Sequence, residues 1–310
     1  MANEVTISGM ISDGAVASFI VKGYEARNAR PDDLRGALTF KEFLPNAGAS
    51  SMRVGLYDGD NVYTAMSSEV ASGVANVDPD WGNFALTPAV YQFPLDVSAL
   101  TMNTLGRGTP EQIMVSMIMA GTGRTVTALA CIAGATATAE VGDGTGPMTL
   151  DLFMEAVGEL RKAGIAGPYN CVMTPDAFTA FQESVRGETG PLAFSPASAE
   201  VMQASGDTYQ GSYQNVGIYI TAKIVTTDTG TVSQNLMFGR NGLVYTESSV
   251  SGALEGFRGA GKTVLDGGNF GIIQDADIHT LLTTFMGVFM PAVTLGEDAA
   301  VIRIQTAVVP

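Results

Sequence analysis

The sequence has 310 residues, of which 46% are hydrophobic and only 15% are charged, and its formal net charge is −15. Soluble monomers usually carry about a quarter charged residues, so this composition predicts a protein that covers much of its surface with partners. The acidic excess argues against a nucleic-acid-binding protein, because affinity for DNA comes mainly from neutralising phosphates. Cys131 and Cys171 have apolar neighbours and no CxxC spacing, which predicts buried free thiols.

The first third of the chain is expected to be extended. Residues 1–50 predict an arm with short helical pieces. Branched and aromatic residues flank the Asp-Gly-Asp-Asn turn at 58–61, which predicts a hairpin, and a second extended run, FALTPAVYQFPLDVSAL, follows. Together they predict a two-stranded flap with little core of its own. Such a ribbon is marginal in water, so a second copy of the protein is expected to cover it.

A long helix follows in PEQIMVSMIMAGTGRTVTALACIAG, with Thr109 as the expected N-cap. Residues 113–135 are long enough to cross a bilayer, but Arg124 interrupts them near the centre, which would cost several kcal/mol in a membrane. The segment therefore predicts a buried helix in an assembly. Arg124 is expected to meet a carboxylate or carbonyls, or to emerge at a subunit boundary. The alternative is that the face carrying Arg124 is simply solvated.

The second half predicts an α+β body. MTLDLFMEAVGELRKAGI is an amphipathic helix, and it precedes a short buried strand and a helix from Pro175 with Thr174 as its cap. Residues 186–215 predict a loop, and GIYITAKIVTTD and SQNLMFGRNGLVYTES predict two β-runs. The tail predicts a hairpin around Gly296-Glu297-Asp298. The apolar stripe of the amphipathic helix consists of Leu150, Phe153, Met154, Val157, Leu160 and Ile165.

One stretch, GFRGAGKT at 256–263, matches the phosphate-loop pattern G-x-x-x-x-G-K-[ST]. A phosphate loop must follow a buried strand and begin a helix, so that the helix N-terminus faces the phosphates. The upstream ESSVSGALE is polar, and Gly267-Gly268 would end a helix within a turn. The context favours a glycine-rich surface turn in which Arg258 and Lys262 meet acidic neighbours. A nucleotide hydrolase stays open as an alternative.

Other chemistry-bearing residues are scarce. The single histidine, His279, lies in DADIHTLL, which predicts an ordinary helix start and a structural histidine. The acidic pairs Asp58/Asp60 and Asp78/Asp80 predict solvated turns, with weak cation binding as the alternative. Trp81, in the flap, suits an interface anchor, with local packing as the alternative. No catalytic residue, cofactor site or metal site is predicted.

The order of arm, extended hairpin, long helix, α+β body and terminal strands resembles the tailed-phage major capsid proteins of the Hong Kong 97 fold. This resemblance implies an α+β fold, with a spine helix in PEQIMVSMIMAGTGRTVTALACIAG and late strands in NVGIYITAKIV and NLMFGRNGLVY. It implies that the tail strands return to the peripheral domain. The implied divisions are an N-terminal arm (1–50), an extended loop (51–97), a peripheral domain with the spine helix (98–147), a mainly axial domain (148–285, with part of 240–265 in either domain) and C-terminal strands (286–310).

The implied function is structural rather than enzymatic: an icosahedral shell of hexamers and pentamers around double-stranded DNA, without sequence-specific DNA binding, cofactor or membrane. Implied partners are further copies and portal, scaffolding and decoration proteins, in a virion assembled in the host cytoplasm. Some relatives link a lysine on this loop to a neighbour's asparagine, but this sequence has no lysine between Lys41 and Lys162, so non-covalent locking is expected. An encapsulin-like compartment shell is the alternative. The predicted inter-subunit contacts are Arg53, Tyr57, Asp58, Trp81, Arg124, Arg258 and Lys262.

Overall fold

The computed structural model describes residues 32–42, 51–58, 80–98, 109–187, 195–198, 208–252, 254–255, 263–266, 269–277 and 282–308. The longest helices described are α1 (Thr109–Gly134), α2 (Leu150–Lys162) and α3 (Pro175–Gly187). The strands are β1 (Thr39–Phe40), β2 (Met52–Asp58), β3 (Asp80–Leu86), β4 (Tyr91–Ser98), β5 (Glu140–Val141), β6 (Tyr169–Met173), β7 (Ser195–Pro196), β8 (Tyr209–Tyr213), β9 (Val216–Ile220), β10 (Thr226–Thr227), β11 (Val232–Phe238), β12 (Leu243–Glu247), β13 (Thr263–Asp266), β14 (Phe270–Asp277), β15 (Leu282–Phe289), β16 (Pro291–Leu295) and β17 (Val301–Ala307).

The largest unit is an eight-stranded sheet in the order β5-β17-β11-β6-β9-β8-β7, with β10 paired to β11. Every residue of β11 is buried, and helices α2 and α3 supply the aromatic core beside the sheet. The Phe153 ring lies 4.8 Å from that of Phe181 and 5.9 Å from that of Tyr213, measured between centroids. The predicted helix–strand–helix unit is confirmed, whereas β8, within the predicted 186–215 loop, was missed.

The caps and apolar stripe of this unit follow the sequence pattern. Thr149 caps α2 by accepting a hydrogen bond from the Leu152 N–H at 3.3 Å. The predicted Thr174 cap of α3 accepts from the Ala177 N–H at 3.2 Å. Phe153, Val157 and Leu160 are buried, and the other three residues of the predicted stripe pack partly buried against the same core.

Helix α1 runs unbroken through Gly121 and Gly123, as predicted, and begins at Thr109 itself. It packs on β16, and its buried side joins a second core that includes Val126, Ala130 and Cys131.

A four-stranded antiparallel sheet, β13-β14-β15-β4, brings the return strand of the predicted flap beside residues from the last quarter of the chain. The helix start predicted at 275–279 is wrong: Asp275 pairs with Thr284 and Asp277 with Leu282 in the β14–β15 ladder. Eight consecutive cross-strand pairs there outweigh the local helical pattern. His279 lies outside the described residues.

The remaining strands form the sheet β1-β12-β16 and the two-stranded ribbon β2-β3. The tight hairpin predicted at 58–61 is wrong, because β2 pairs along its whole length with β3, from Met52 opposite Leu86 to Asp58 opposite Asp80. The connection is therefore 59–79, which lies outside the described residues. A two-stranded ribbon is nonetheless present.

The tail divides between two sheets. Strand β16 pairs with β12, whereas β17 pairs with β11 in the eight-stranded sheet. The hairpin predicted around Gly296-Glu297-Asp298 is therefore wrong. The return of the tail strands to the peripheral domain stays a prediction. The second predicted β-run, SQNLMFGRNGLVYTES, splits likewise at Asn241, whose φ of 66° lets the chain leave β11 and enter β12 in another sheet. The apolar side chains of β17 are buried by β11 and α2, and this long-range packing decides its place.

Candidate assembly surfaces

Among the described residues, the β2–β3 ribbon packs on the body at the end that carries Phe84 and Leu86. Phe84 and Leu86 are buried there against Val244 and Ala292, and Met52 packs partly buried beside them. The other end comprises the pairs Tyr57–Trp81 and Asp58–Asp80. The register therefore brings three of the predicted contact residues, Tyr57, Asp58 and Trp81, to the end of the ribbon distant from this small core.

The distal end of the ribbon is acidic by register. Asp58 and Asp80 are the last residue of β2 and the first of β3, directly opposite each other, so they are paired strand ends and not the free turns that the sequence predicted. Like charges opposite each other destabilise a strand pair by about 0.2–1 kcal/mol. Arg53 lies opposite Ala85, nearer the anchored end. A positively charged group from outside the ribbon would relieve the repulsion between Asp58 and Asp80.

A buried ion-pair network, which the sequence did not reveal, ties the end of the N-terminal arm to the body. The Arg35 guanidinium lies 2.6 Å from the Asp33 carboxylate and 3.3 Å from that of Glu247, and the three side chains are only 6%, 5% and 1% exposed. Arg35 also donates to the Thr122 hydroxyl on α1 at 3.5 Å. Buried charges must be paired to be tolerated, so these contacts fix the arm against α1 and β12.

Backbone and hydroxyl contacts extend this junction. Thr127 donates to the carbonyl of Asp32 at 2.7 Å and accepts from the Leu34 N–H at 3.1 Å. The Thr221 hydroxyl donates to the Asp32 carboxylate at 2.5 Å. Burial and the negative charge of Asp32 raise the pKa of Cys131 to about 12, and burial raises that of Cys171. Both cysteines are buried free thiols, as predicted.

Arg124 lies on the exposed face of α1. Among the described residues it has no hydrogen-bond or ion-pair partner, so the carboxylate or carbonyl expected within the chain is not found there. A role at a subunit boundary stays a prediction. Neighbouring Gly123 lies on the buried side, where a Cβ atom would come within 3.1 Å of the Asp33 side chain.

The phosphate-loop match does not have the required geometry where the structure describes it. Thr263 is the first residue of strand β13 and pairs with Gln274 of β14, whereas a phosphate loop needs a helix to begin at this point. Upstream of the match, where a phosphate loop needs the end of a buried strand, the chain is helical at Ser251, Gly252, Leu254 and Glu255. Arg258 and Lys262 lie outside the described residues.

The described part of the chain contains no group of three or more His, Cys, Asp or Glu side chains placed to hold a metal ion. None of its helices combines the length and the apolarity that crossing a bilayer requires.

No protein-family model matches the chain, and no curated protein matches it. Several solved structures do match this chain. The capsid of Ralstonia phage GP4 is 11% identical with a TM-score of 0.57, over 93% of this chain and 91% of that one. The head of Helicobacter pylori bacteriophage KHP40 is 9% identical with a TM-score of 0.59, over 90% and 91%. The SrpI encapsulin of Synechococcus elongatus PCC 7942 is 12% identical with a TM-score of 0.59, over 90% and 88%.

The likenesses cover nearly the full length of both chains in each comparison and include phage capsid proteins and an encapsulin. They show the class of fold, which is the one that these phage capsid and encapsulin proteins share. The chain has the α+β Hong Kong 97-type capsid fold that the order of its segments resembles.

Proposed function

We propose that this chain is the major capsid protein of a tailed bacteriophage, and that it assembles into the icosahedral head shell enclosing double-stranded DNA. The single observation that carries the proposal is the fold match over about nine-tenths of both chains with the phage capsid and head structures. In this proposal the protein is structural. Its partners are further copies in hexamers and pentamers, with portal, scaffolding and decoration proteins in the virion, which assembles in the host cytoplasm.

The ribbon supports a role in contacts between subunits. It is two-stranded, its buried residues lie at its base, and an isolated ribbon of this kind is marginal in water. In a shell, the distal end would lie on a neighbouring subunit, where Tyr57 and Trp81 would serve as aromatic anchors. We assign Arg53 to the same interface, nearer the base.

Charge supports the same arrangement. The opposed Asp58 and Asp80 at the distal end favour a basic surface on the neighbour, and no lysine or arginine lies between Arg53 and Arg107 to supply one within the ribbon. We propose that Arg258 and Lys262 of the neighbouring subunit supply this basic surface. We assign Arg124 to another boundary between subunits. Because the loop carries no lysine, the contacts are non-covalent.

An encapsulin-like shell is the second candidate, favoured by the likeness to the SrpI encapsulin. The two candidates differ in what the shell encloses. They share the subunit fold and the closed shell, so the contents of the shell decide between the two candidates.

Electron microscopy of the purified, expressed chain tests the shared part. Closed icosahedral particles are expected, and a monomer at all concentrations would refute both candidates. Particles isolated from the native host then separate the two: nuclease-protected double-stranded DNA supports a phage head, and packaged protein cargo without DNA supports a compartment.

A further inference from the structure

Strand β4 forms a long open edge of its sheet. It is the last strand in the order β13-β14-β15-β4 and, among the described strands, it pairs with β15 alone. Each of its eight residues, Tyr91–Ser98, lies opposite a residue of β15. An edge strand of this length presents a row of unpaired N–H and C=O groups to which a strand of another molecule can pair.

The other strands that end the described sheets are shorter. Apart from the β2–β3 ribbon, they are β1, β5, β7 and β10 with two residues each, β13 with four and β16 with five. Helix α1 also packs on β16. Short edges and covered edges are two ways in which proteins prevent pairing there. Strand β4 is the longest of these edges and is exposed at Gln92, Phe93 and Pro94.

Pro94 lies in the middle of this edge. It pairs with Met286 of β15, in a ladder that continues on both sides of it. In an antiparallel ladder, pairs that exchange both N–H···O bonds alternate with pairs whose N–H and C=O groups point away from each other. Proline has no N–H, so Pro94 fits the second kind of pair without loss of a ladder bond. Its ring nitrogen therefore faces the open edge.

The position of Pro94 fixes which groups face outwards. Gln92, Asp96 and Ser98 follow the same alternation, so their N–H and C=O groups point to the open edge. Pro94 interrupts this row, because it offers no donor and its Cδ atom occupies the place of the amide hydrogen. A strand arriving along β4 therefore finds no continuous ladder through residues 92–98.

The surroundings of the edge favour self-association. Phe93 is 36% exposed, and Val90, directly before β4, is 46% exposed. A second copy of the chain is a self-complementary partner, because two β4 edges can run antiparallel about a two-fold axis and join their sheets. We propose that Pro94 blocks this pairing and so keeps the β4 edges of two free subunits apart. The inference concerns the edge of one sheet and does not rest on the proposed function.

Sedimentation velocity of the full-length, unassembled chain tests the proposal. Pro94→Thr restores the missing N–H in a residue type that suits strands, so the fraction of chains in dimers and larger aggregates should rise at least 10-fold. Gln92→Thr is the matched control, because it places the same side chain on the same exposed edge without adding a donor. It should sediment as the unmodified chain does.

The double variant Pro94→Thr/Gln92→Pro separates edge pairing from damage to the fold. Gln92 lies opposite Val288 and also faces outwards, so a proline there leaves the ladder with β15 intact and interrupts the edge again. This variant should sediment as the unmodified chain does. Hydrogen exchange gives a second readout, in which amides of β4 should exchange at least 10-fold more slowly in Pro94→Thr than in Gln92→Thr.

Three outcomes would overturn the proposal. Unchanged sedimentation of Pro94→Thr would show that the proline does not guard the edge. Equal association of Pro94→Thr and the double variant would show that loss of the proline acts through the fold. Association of Pro94→Thr without slower exchange in β4 would show that the contact lies elsewhere.

Discussion

The eight-stranded sheet and the β2–β3 ribbon differ in how much buried core the structure describes beside each of them. In the sheet, β11 is buried along all seven residues and lies between two partner strands. In the ribbon, seven residue pairs form a ladder, but the small core beside it gathers at one end. We infer that the body folds by itself, whereas the distal end of the ribbon needs a contact from outside the chain. This division is suited to a subunit that folds first and assembles later.

The largest loss of body stability is expected from Phe153→Ala. Phe153 is fully buried between Phe181 and Tyr213, and truncation of such a side chain costs about 3–5 kcal/mol. Urea unfolding of the unassembled protein measures the change. Phe93→Ala, at an exposed ring, is the matched control and should cost far less; equal costs would contradict the assignment of the core.

Arg35→Met should have a comparable effect at the arm junction. It would leave the buried carboxylates of Asp33 and Glu247 without their guanidinium, and breaking a buried pair in this way costs about 3–5 kcal/mol. Glu140→Gln is the control, because the Glu140–Arg303 pair is 52% exposed on the Glu140 side and should contribute at most about 1 kcal/mol. A loss below 1 kcal/mol for Arg35→Met would show that the network does not hold the arm.

The contrast between local and long-range contacts also decides what the sequence could predict. Helices α1, α2 and α3 and the Thr174 cap follow from spacing within a few residues. The Arg35–Glu247 pair joins positions 212 residues apart, and no local pattern signals it. The partner of β2 was misjudged because a favourable turn sequence follows it directly, whereas the paired strand begins at Asp80.

The proposed assembly surface was predictable only in part. The lack of lysine and core in the flap pointed to the ribbon, and the register then brought Tyr57 opposite Trp81. The placement of β16 and β17 in separate sheets could not be predicted, because the local sequence of neither strand specifies its partner and only tertiary pairing decides it.

Raising the pH should lower the unfolding free energy of the body by a smaller amount than the two substitutions above. The pKa of Cys131 is raised from 9.0 to about 12 in the folded chain, so its contribution is fully present below pH 9 and is lost as the pH rises towards 12. At pH 10 the unfolded thiol is already ionised, which lowers the unfolding free energy by about 1.4 kcal/mol relative to pH 8. Urea unfolding at both pH values should show this difference in the wild type beyond that in Cys131→Ala. Identical pH dependence in both would contradict burial of the thiol.

The smallest effect on the body is expected from deleting residues 58–61, which begin at the last residue of β2. The unfolding free energy of the unassembled protein should change by less than about 0.5 kcal/mol, since Asp58 lies at the opposite end of the described ladder from the buried Phe84 and Leu86. Shell yield, measured by sedimentation, should nevertheless fall at least 10-fold. Normal shells at normal yield would show that the ribbon is dispensable.

Hydrogen exchange on unassembled subunits and assembled shells of the unmodified chain tests the central claim most directly. We expect amides of β2 and β3 to exchange rapidly in free subunits and at least 100-fold more slowly in shells, while amides of β11 and α2 are protected equally in both. Equal protection of the ribbon before and after assembly would contradict the account, because the ribbon would then be ordered by its own chain.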